Sequence, residues 1–221
     1  MTYYKVLAED GTPCNGGTGK WNLPHDGQPG EWMPEIAGLV PCKRGYHVCT
    51  AEQLVRWFGP TIYEVECGGE HVEQADKHVF GRARLIRKLD AWTERTARMF
   101  ACDCAERVLP IYERDYPGDA RPRTAIEVAR RYADGNATQE ELDAAEAAAG
   151  AVARAAEWGT AWVAAWAAAG AAAGAAVEVA AGAAAWATAW AAAARDAECT
   201  WQTQHLCELL GIAPAGESEE G

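Results

Sequence analysis

The spacing of apolar positions changes character near residue 90. Before it, short runs alternate or are β-branched: YYKVLA, LVPC, TIYEVEC and HVFGRARLIRKL. Clusters such as CNGGTG, HDGQPG and PGEW lie between them. Alternation predicts half-buried strands, and Gly, Asn, Asp and Pro clusters predict the turns that join them. TAEQLVRWF is the exception and predicts one short helix with Thr50 as its N-cap.

From Asp90 onward the apolar residues recur at helical spacing. In DAWTERTARMFACDCAERVLPIYERDY, Trp92, Thr96, Met99, Phe100 and Cys104 share one face, and Val108, Ile111 and Tyr112 extend it. Thr93 is a natural cap, and Pro110 predicts a kink or a boundary. YPGDARP reads as a loop, and RTAIEVARRYADG as a second helix stopping at Gly135. A third helix starts at Thr138, whose partner Glu141 completes a capping box, and runs on into an Ala/Trp stretch. CTWQTQHLCELLG predicts a last amphipathic helix ending at Gly211. The expected class is α+β: a strand-rich domain over residues 1–89, an all-α Ala/Trp-rich bundle over 90–211, and a disordered acidic tail over 212–221.

The stretch from Glu157 to Gln202 is nearly all Ala, Gly and Trp. Residues 159–177 carry no charge, which is long enough to span a bilayer. Ala and Gly contribute little transfer energy, Glu178 interrupts the wider stretch, and no Lys/Arg cluster flanks it, so a membrane span is rejected. Taking every fourth residue gives Trp158, Trp162, Trp166, Gly170, Gly174, Glu178, Gly182, Trp186 and Trp190. Each such step moves about 40° around a helix, so three successive Trp share a face but the whole series does not. A helical hairpin turning near Gly170–Glu178 would bring Trp166 near Trp186 and Trp162 near Trp190. Two readings follow. The indoles are large core fillers in an Ala-rich bundle, or some line an aromatic slot with a polar edge.

Charge narrows the partners. The net charge is −12, from 20 basic and 32 acidic residues, which excludes general nucleic-acid binding and suits a basic protein partner. Residues 82–131 nonetheless hold 12 of the 20 basic side chains. Most are expected to be solvated or paired with carboxylates, while a subset can clamp an anionic group. The N-terminus MTYYKVLAED has no apolar run, so the bacterial cytosol, or that of a phage-infected cell, is the expected compartment. The eight cysteines are then expected to be reduced thiols.

Candidate chemistry is thin. Cys14, Cys42, His47 and Cys49 supply four potential zinc ligands but no CxxC pair, and buried thiols are the preferred reading. Cys102 and Cys104 are two apart on a helix and point to different sides, as core residues would. His47 and Cys49 would share a strand face as a Cys–His nucleophile, a weak signal at that spacing. A Tyr-His strand beside a nicotinamide pocket, as in ADP-ribosyl transfer, needs more chain than precedes Asp90. CNGGTGKW lacks the phosphate-loop spacing and no helix pattern follows, so it reads as a turn. Glu64 and Glu66 alternate on a strand and read as a solvated face.

The run WTERTARMFACDCAERVLPIYE, then YPGDARPRTAIEVARRYADG, then an Ala-rich stretch with aromatics every fourth residue resembles a family of bacterial and phage immunity proteins over about residues 88–210. YKVLAEDGTPC, VPCKRGYHVC and TIYEVE make about residues 3–88 similar to a small domain of unknown function found in phage proteins. The resemblance implies a protein that neutralises an antagonistic agent, and it supplies no catalytic residues and no cofactor. Two targets are open. The preferred one is a small nucleotide-like immune signal, sequestered without catalysis by Trp158, Trp162, Trp166, Trp186 and Trp190, with Arg154, Arg195, Arg95, Arg98, Tyr46 and His47 as further ligand-binding candidates. The other is a basic protein toxin, and a nucleotide-modifying enzyme comes third. No metal is expected, and a homo-oligomer is compatible with a Gly/Ala-faced hairpin.

Overall fold

The computed structural model describes residues 1–155 and 195–214. The chain divides into two units, Met1–Trp92 with Leu206–Gly221, and Thr93–His205. Strands and helices are both present, so the class is α+β.

The first unit is built on four strands: β1 (Tyr3–Leu7), β2 (Tyr46–Val48), β3 (Thr61–Glu73) and β4 (His78–Lys88). All pairings are antiparallel, in the order β1-β3-β4-β2. Beyond β2, Cys49 pairs back onto β1: Tyr4 N–H donates to Cys49 O at 2.8 Å and Cys49 N–H to Tyr4 O at 3.0 Å. That pair curls the sheet toward closure. The stretch of β4 that β2 does not reach is covered by an extended strap, whose Gly30, Met33 and Ile36 amides donate to Leu85, Ala83 and Gly81 carbonyls. Every third residue of the strap thus satisfies an edge group, which protects that edge from pairing with other chains. The strap lies so close to β4 that a Cβ at Gly81 would stand 2.7 Å from Ile36 O, and a Cβ at Gly30 would stand 2.0 Å from Asn22 O of the preceding loop.

Leu7, Trp21, Tyr46, Val48, Tyr63, Val65, Phe80 and Leu85 form the core on one face of the sheet. Tyr4, Val6 and Ile62 are buried as well, so alternate residues of β1 are covered on both sides. The helix α1 (Ala51–Leu54) contacts β1. Gln53 returns its side chain to the Thr50 amide at 3.0 Å, so the helix expected after Thr50 begins there and is much shorter than TAEQLVRWF. The strand expected at LVPC is instead a tight turn. Val40 O accepts from Lys43 and Arg44, and Cys42 has φ 64°, a left-handed conformation no strand admits. The neighbouring strand is Tyr46–Val48.

The second unit's described residues form α2 (Glu94–Asp115), α3 (Arg121–Ala133), α4 (Gln139–Ala155) and the greater part of α5 (Arg195–Leu210). The expected caps are in place. Thr93 Oγ1 accepts from Thr96 N–H at 3.1 Å. Thr138 and Glu141 exchange bonds of 2.7 and 3.2 Å. Gly135 and Gly211 stop α3 and α5 at φ 74° and 64°. Pro110 lies inside α2 and sets no boundary. Phe100, Ala101, Cys104, Leu109 and Tyr112 are buried along α2, Ile126 and Ala129 on α3, and Leu142 and Ala149 on α4. Cys102 and Cys104 are both wholly buried, as core residues.

Among the described residues no helix is long and apolar enough to cross a membrane. The Ala/Trp stretch, with its expected hairpin, lies outside the described residues apart from the ends of the flanking helices, and so does the acidic tail beyond residue 214.

Candidate functional site

Among the described residues of the helical unit, a polar cluster lies between α2 and α5. Positions 100, 103 and 107 of α2 face 198, 201 and 205 of α5, so each helix contributes one i, i+3 or i+4, i+7 stripe. His205 Nε2 is 2.6 Å from Asp103 Oδ2, and Asp103 Oδ1 is 2.7 Å from Arg130 of α3. Arg130 also reaches Glu106 at 2.6 Å. One turn away, Arg107 Nε donates to Glu198 Oε2 at 3.0 Å, and Gln202 donates to Glu198 Oε1 at 3.1 Å. Glu198 is buried, and its carboxylate is satisfied on both oxygens.

Flat groups stack through the cluster. The Arg107 guanidinium lies 4.0 Å from the Trp201 ring centre. Trp201 and His205 stack at 4.9 Å and 20°, and His205 faces Phe100 at 6.0 Å and 22°. Guanidinium, indole, imidazole and phenyl follow one another along the seam. A carboxylate paired with an imidazole is also a general-base arrangement, but here Asp103 is shared with Arg130, and the other carboxylates carry their own partners. The chemistry this arrangement performs is fixing α5 onto α2 and α3 by paired charges and stacked rings.

The sequence-derived candidates fall as follows. Arg95 makes a two-pronged pair with Asp134 Oδ1, at 3.1 and 2.6 Å. Arg98 is buried, lies 5.0 Å from the Tyr132 ring centre and 3.4 Å from Glu94. Both belong to the helical unit. Tyr46 and His47 belong to the other, on β2. Tyr46 is a core residue whose hydroxyl donates to Pro34 O, and it meets Trp21 edge-on at 5.4 Å. Trp158, Trp162, Trp166, Trp186 and Trp190, and the side chains of Arg154 and Arg195, lie outside the described residues. His205, Asp103 and Trp201, which carry the seam, were not among the candidates. For Trp201 and His205 the signal was present in CTWQTQHLCELLG, a helix with polar and apolar residues interleaved, and for Asp103 it lay in FACDCAERV.

His47 does not pair with Cys49. Its Nε2 accepts from the Cys42 amide at 2.8 Å, while the buried Cys49 thiol reaches Tyr4 O at 3.6 Å. Burial pushes Cys49 up to about 12, far from a nucleophile's range. Among the described residues, no three His, Cys, Asp or Glu side chains stand in metal-binding geometry. CNGGTG is a turn, with Gly16 and Gly17 at φ 82° and 105°. Glu64 and Glu66 pair across the hairpin with Arg87 and Arg84 at 2.8 and 2.7 Å.

A two-unit α+β protein, with a helical part held by a stacked and charged seam, is the class these features define. The helical part settles the family: residues 87–209, more than half of the chain, match the model described as Imm-5 like putative immunity protein, and the chain belongs to that family. The match does not extend to the strand-rich residues before it. No curated protein and no solved structure matches the chain.

Proposed function

We propose that the chain neutralises a protein toxin by binding it. The single observation that carries this reading is the immunity-family match over the helical unit. The net charge of −12 supports a basic toxin, since complementary charge speeds encounter and fixes register. The inward pairing of the seam also supports a binding body over a reaction centre, because its carboxylates and guanidinium groups are engaged with each other. Co-expression with a panel of basic bacterial toxins tests it. Rescue of growth together with direct binding that weakens as salt rises is the expected result. Rescue by none of the panel, or rescue without physical association, counts against it.

The second reading is sequestration of a small nucleotide-like signal. The sequence observation behind it is the repeated four-residue spacing of Trp158, Trp162 and Trp166, and of Trp186 and Trp190. The family match moves the toxin ahead of it. Native mass spectrometry after incubation with nucleotide-derived signals separates the two. A stoichiometric small-molecule adduct lost in Trp162→Ala or Trp190→Ala favours sequestration.

A further inference from the structure

The outward face of the β3–β4 hairpin carries a row of cross-strand ion pairs that stops one step early. Arg87 meets Glu64 at 2.8 Å, and Arg84 meets Glu66 at 2.7 Å. The next position in the register is Arg82, and the residue opposite it is Gly68. A Cβ at Gly68 would meet nothing within 4 Å, so the place where a third glutamate would stand is open space. Glu70, two residues on, is engaged elsewhere, accepting from the Gly38 amide at 2.9 Å. Arg82 is exposed, and among the described residues no carboxylate pairs with it.

Trp32 of the strap holds this arginine in place. The Arg82 guanidinium carbon lies 4.1 Å from the indole centre, and that of Arg84 lies 4.8 Å from the same ring. The backbone on either side of Trp32 is bonded to β4, Gly30 N–H to Leu85 O at 2.8 Å and Met33 N–H to Ala83 O at 2.9 Å. Stacking on an indole leaves the in-plane N–H groups of a guanidinium free, in the fork that matches a carboxylate. The surroundings limit what can approach. Glu31 and Glu35 are exposed to either side of Trp32, and Glu64 and Glu66 line the row. This acidic rim repels a polyanion such as nucleic acid and admits one carboxylate at a time.

We propose that Arg82, stacked on Trp32 and facing Gly68, is a docking point for a single carboxylate side chain presented by a protein partner, with basic neighbours that meet the acidic rim. The partner's carboxylate takes the place that Glu64 and Glu66 fill at the two preceding steps of the row. Arg82 supplies the forked donors, Trp32 positions them, and Gly68 leaves the room. The site lies in the strand-rich unit, before the residues of the family match, and stands independently of the toxin reading.

The probe is an end-blocked Lys-Glu-Lys peptide, with Lys-Gln-Lys as its control, titrated into the full chain at low salt. The readout is the indole N–H signal of Trp32 in proton–nitrogen correlation spectra, assigned with Trp32→Phe. The net charge of −12 attracts the more basic Gln peptide more strongly, so general attraction and the site predict opposite orders. The expected result is that the Glu peptide shifts the Trp32 signal and binds about two- to fivefold more tightly than the Gln peptide. Arg82→Ala removes that preference. Gly68→Glu removes it too, with Arg82 still present, because it completes the row from within, while the neutral Gly68→Gln retains most of it. An equal or reversed preference in the unsubstituted chain overturns the site, and that comparison needs no variant to fold. An unchanged preference in folded Arg82→Ala or Gly68→Glu overturns it as well.

Discussion

The phenol of Tyr112 donates to Asp119 Oδ2 at 2.6 Å, so the last turn of α2 is tied to the loop that leads into α3. Arg121 completes the arrangement. Its Nε and its backbone amide reach Asp119 Oδ1 at 2.8 and 3.1 Å. The Arg121 side chain and the Tyr112 hydroxyl together hold the Asp119 carboxyl well below its usual range. The folded state therefore binds fewer protons here than the unfolded one. The stabilisation is present above the ordinary value of 3.8 and is lost as pH falls below it. Asp119→Asn should cost about 1–3 kcal/mol at neutral pH, and the gap to the parent should narrow as pH falls below that value. Urea melts at a series of pH values measure this.

The Asp103–His205 contact makes a different prediction, about coupling. Asp103→Ala removes the acceptor shared by His205 and Arg130, both partly exposed, and should cost about 1–2 kcal/mol. His205→Phe keeps a flat ring between Trp201 and Phe100 and should cost less. A double-mutant cycle should return a coupling of about 0.5–1 kcal/mol, and additive costs would show that the contact contributes nothing.

Lys5 is a cation inside the strand-rich unit. Its ammonium donates to His47 O at 2.9 Å and lies 5.4 Å from the Trp21 ring centre. No carboxylate pairs with it among the described residues. Burial lowers it from 10.5 to about 8. The unfolded chain thus binds this proton more tightly, and Lys5 penalises the folded state at neutral pH. Lys5→Met should stabilise the protein by about 1–2 kcal/mol at pH 7. The advantage should shrink as pH rises from about 8 toward 10.5, because the parent then folds with a neutral amine.

Two imidazoles make the same unit acid-sensitive. His78 is buried and lies 3.0 Å from His71 Nε2, and burial lowers it. His47 is also lowered by burial, and Lys5 and Lys77 add to the effect. Both are depressed relative to the unfolded value of 6.5, so stability is full above that pH and is lost as pH falls below it. His78→Gln and His47→Gln should each flatten part of the decline between about pH 6.5 and 5 in thermal melts. A parent whose stability is flat across that window would contradict this.

Helix ends were legible in the sequence because a cap is a local signal. Thr93, Thr138 with Glu141, Gly135 and Gly211 each act within one turn, and each is found in its role. Strand placement was less legible where pairing is remote. LVPC has the apolar character of a strand, yet the chain turns there, and YHV, with fewer apolar residues, is the piece that pairs with β4. β3 continues past Cys67 through Gly68 and Gly69 because register shifts absorb the glycines. The seam was missed because stripes on two helices far apart in sequence become a cluster only when α2 and α5 pack. The expectation that the basic segment is largely paired holds at Arg84, Arg87, Arg95, Arg121, Arg123, Arg130 and Arg131.

The return of Cys49 onto Tyr4 bears on the order in which the strand-rich unit assembles. β3 and β4 are joined by a short turn and can zip from it, whereas β1 waits for residues more than fifty positions later in the chain. Pairing at long separation must first overcome loop-closure entropy, so it comes late. The β3–β4 hairpin is then the seed and the Tyr4–Cys49 pair a late stitch. Changes at β1 should chiefly hasten unfolding, whereas changes in the hairpin should slow refolding.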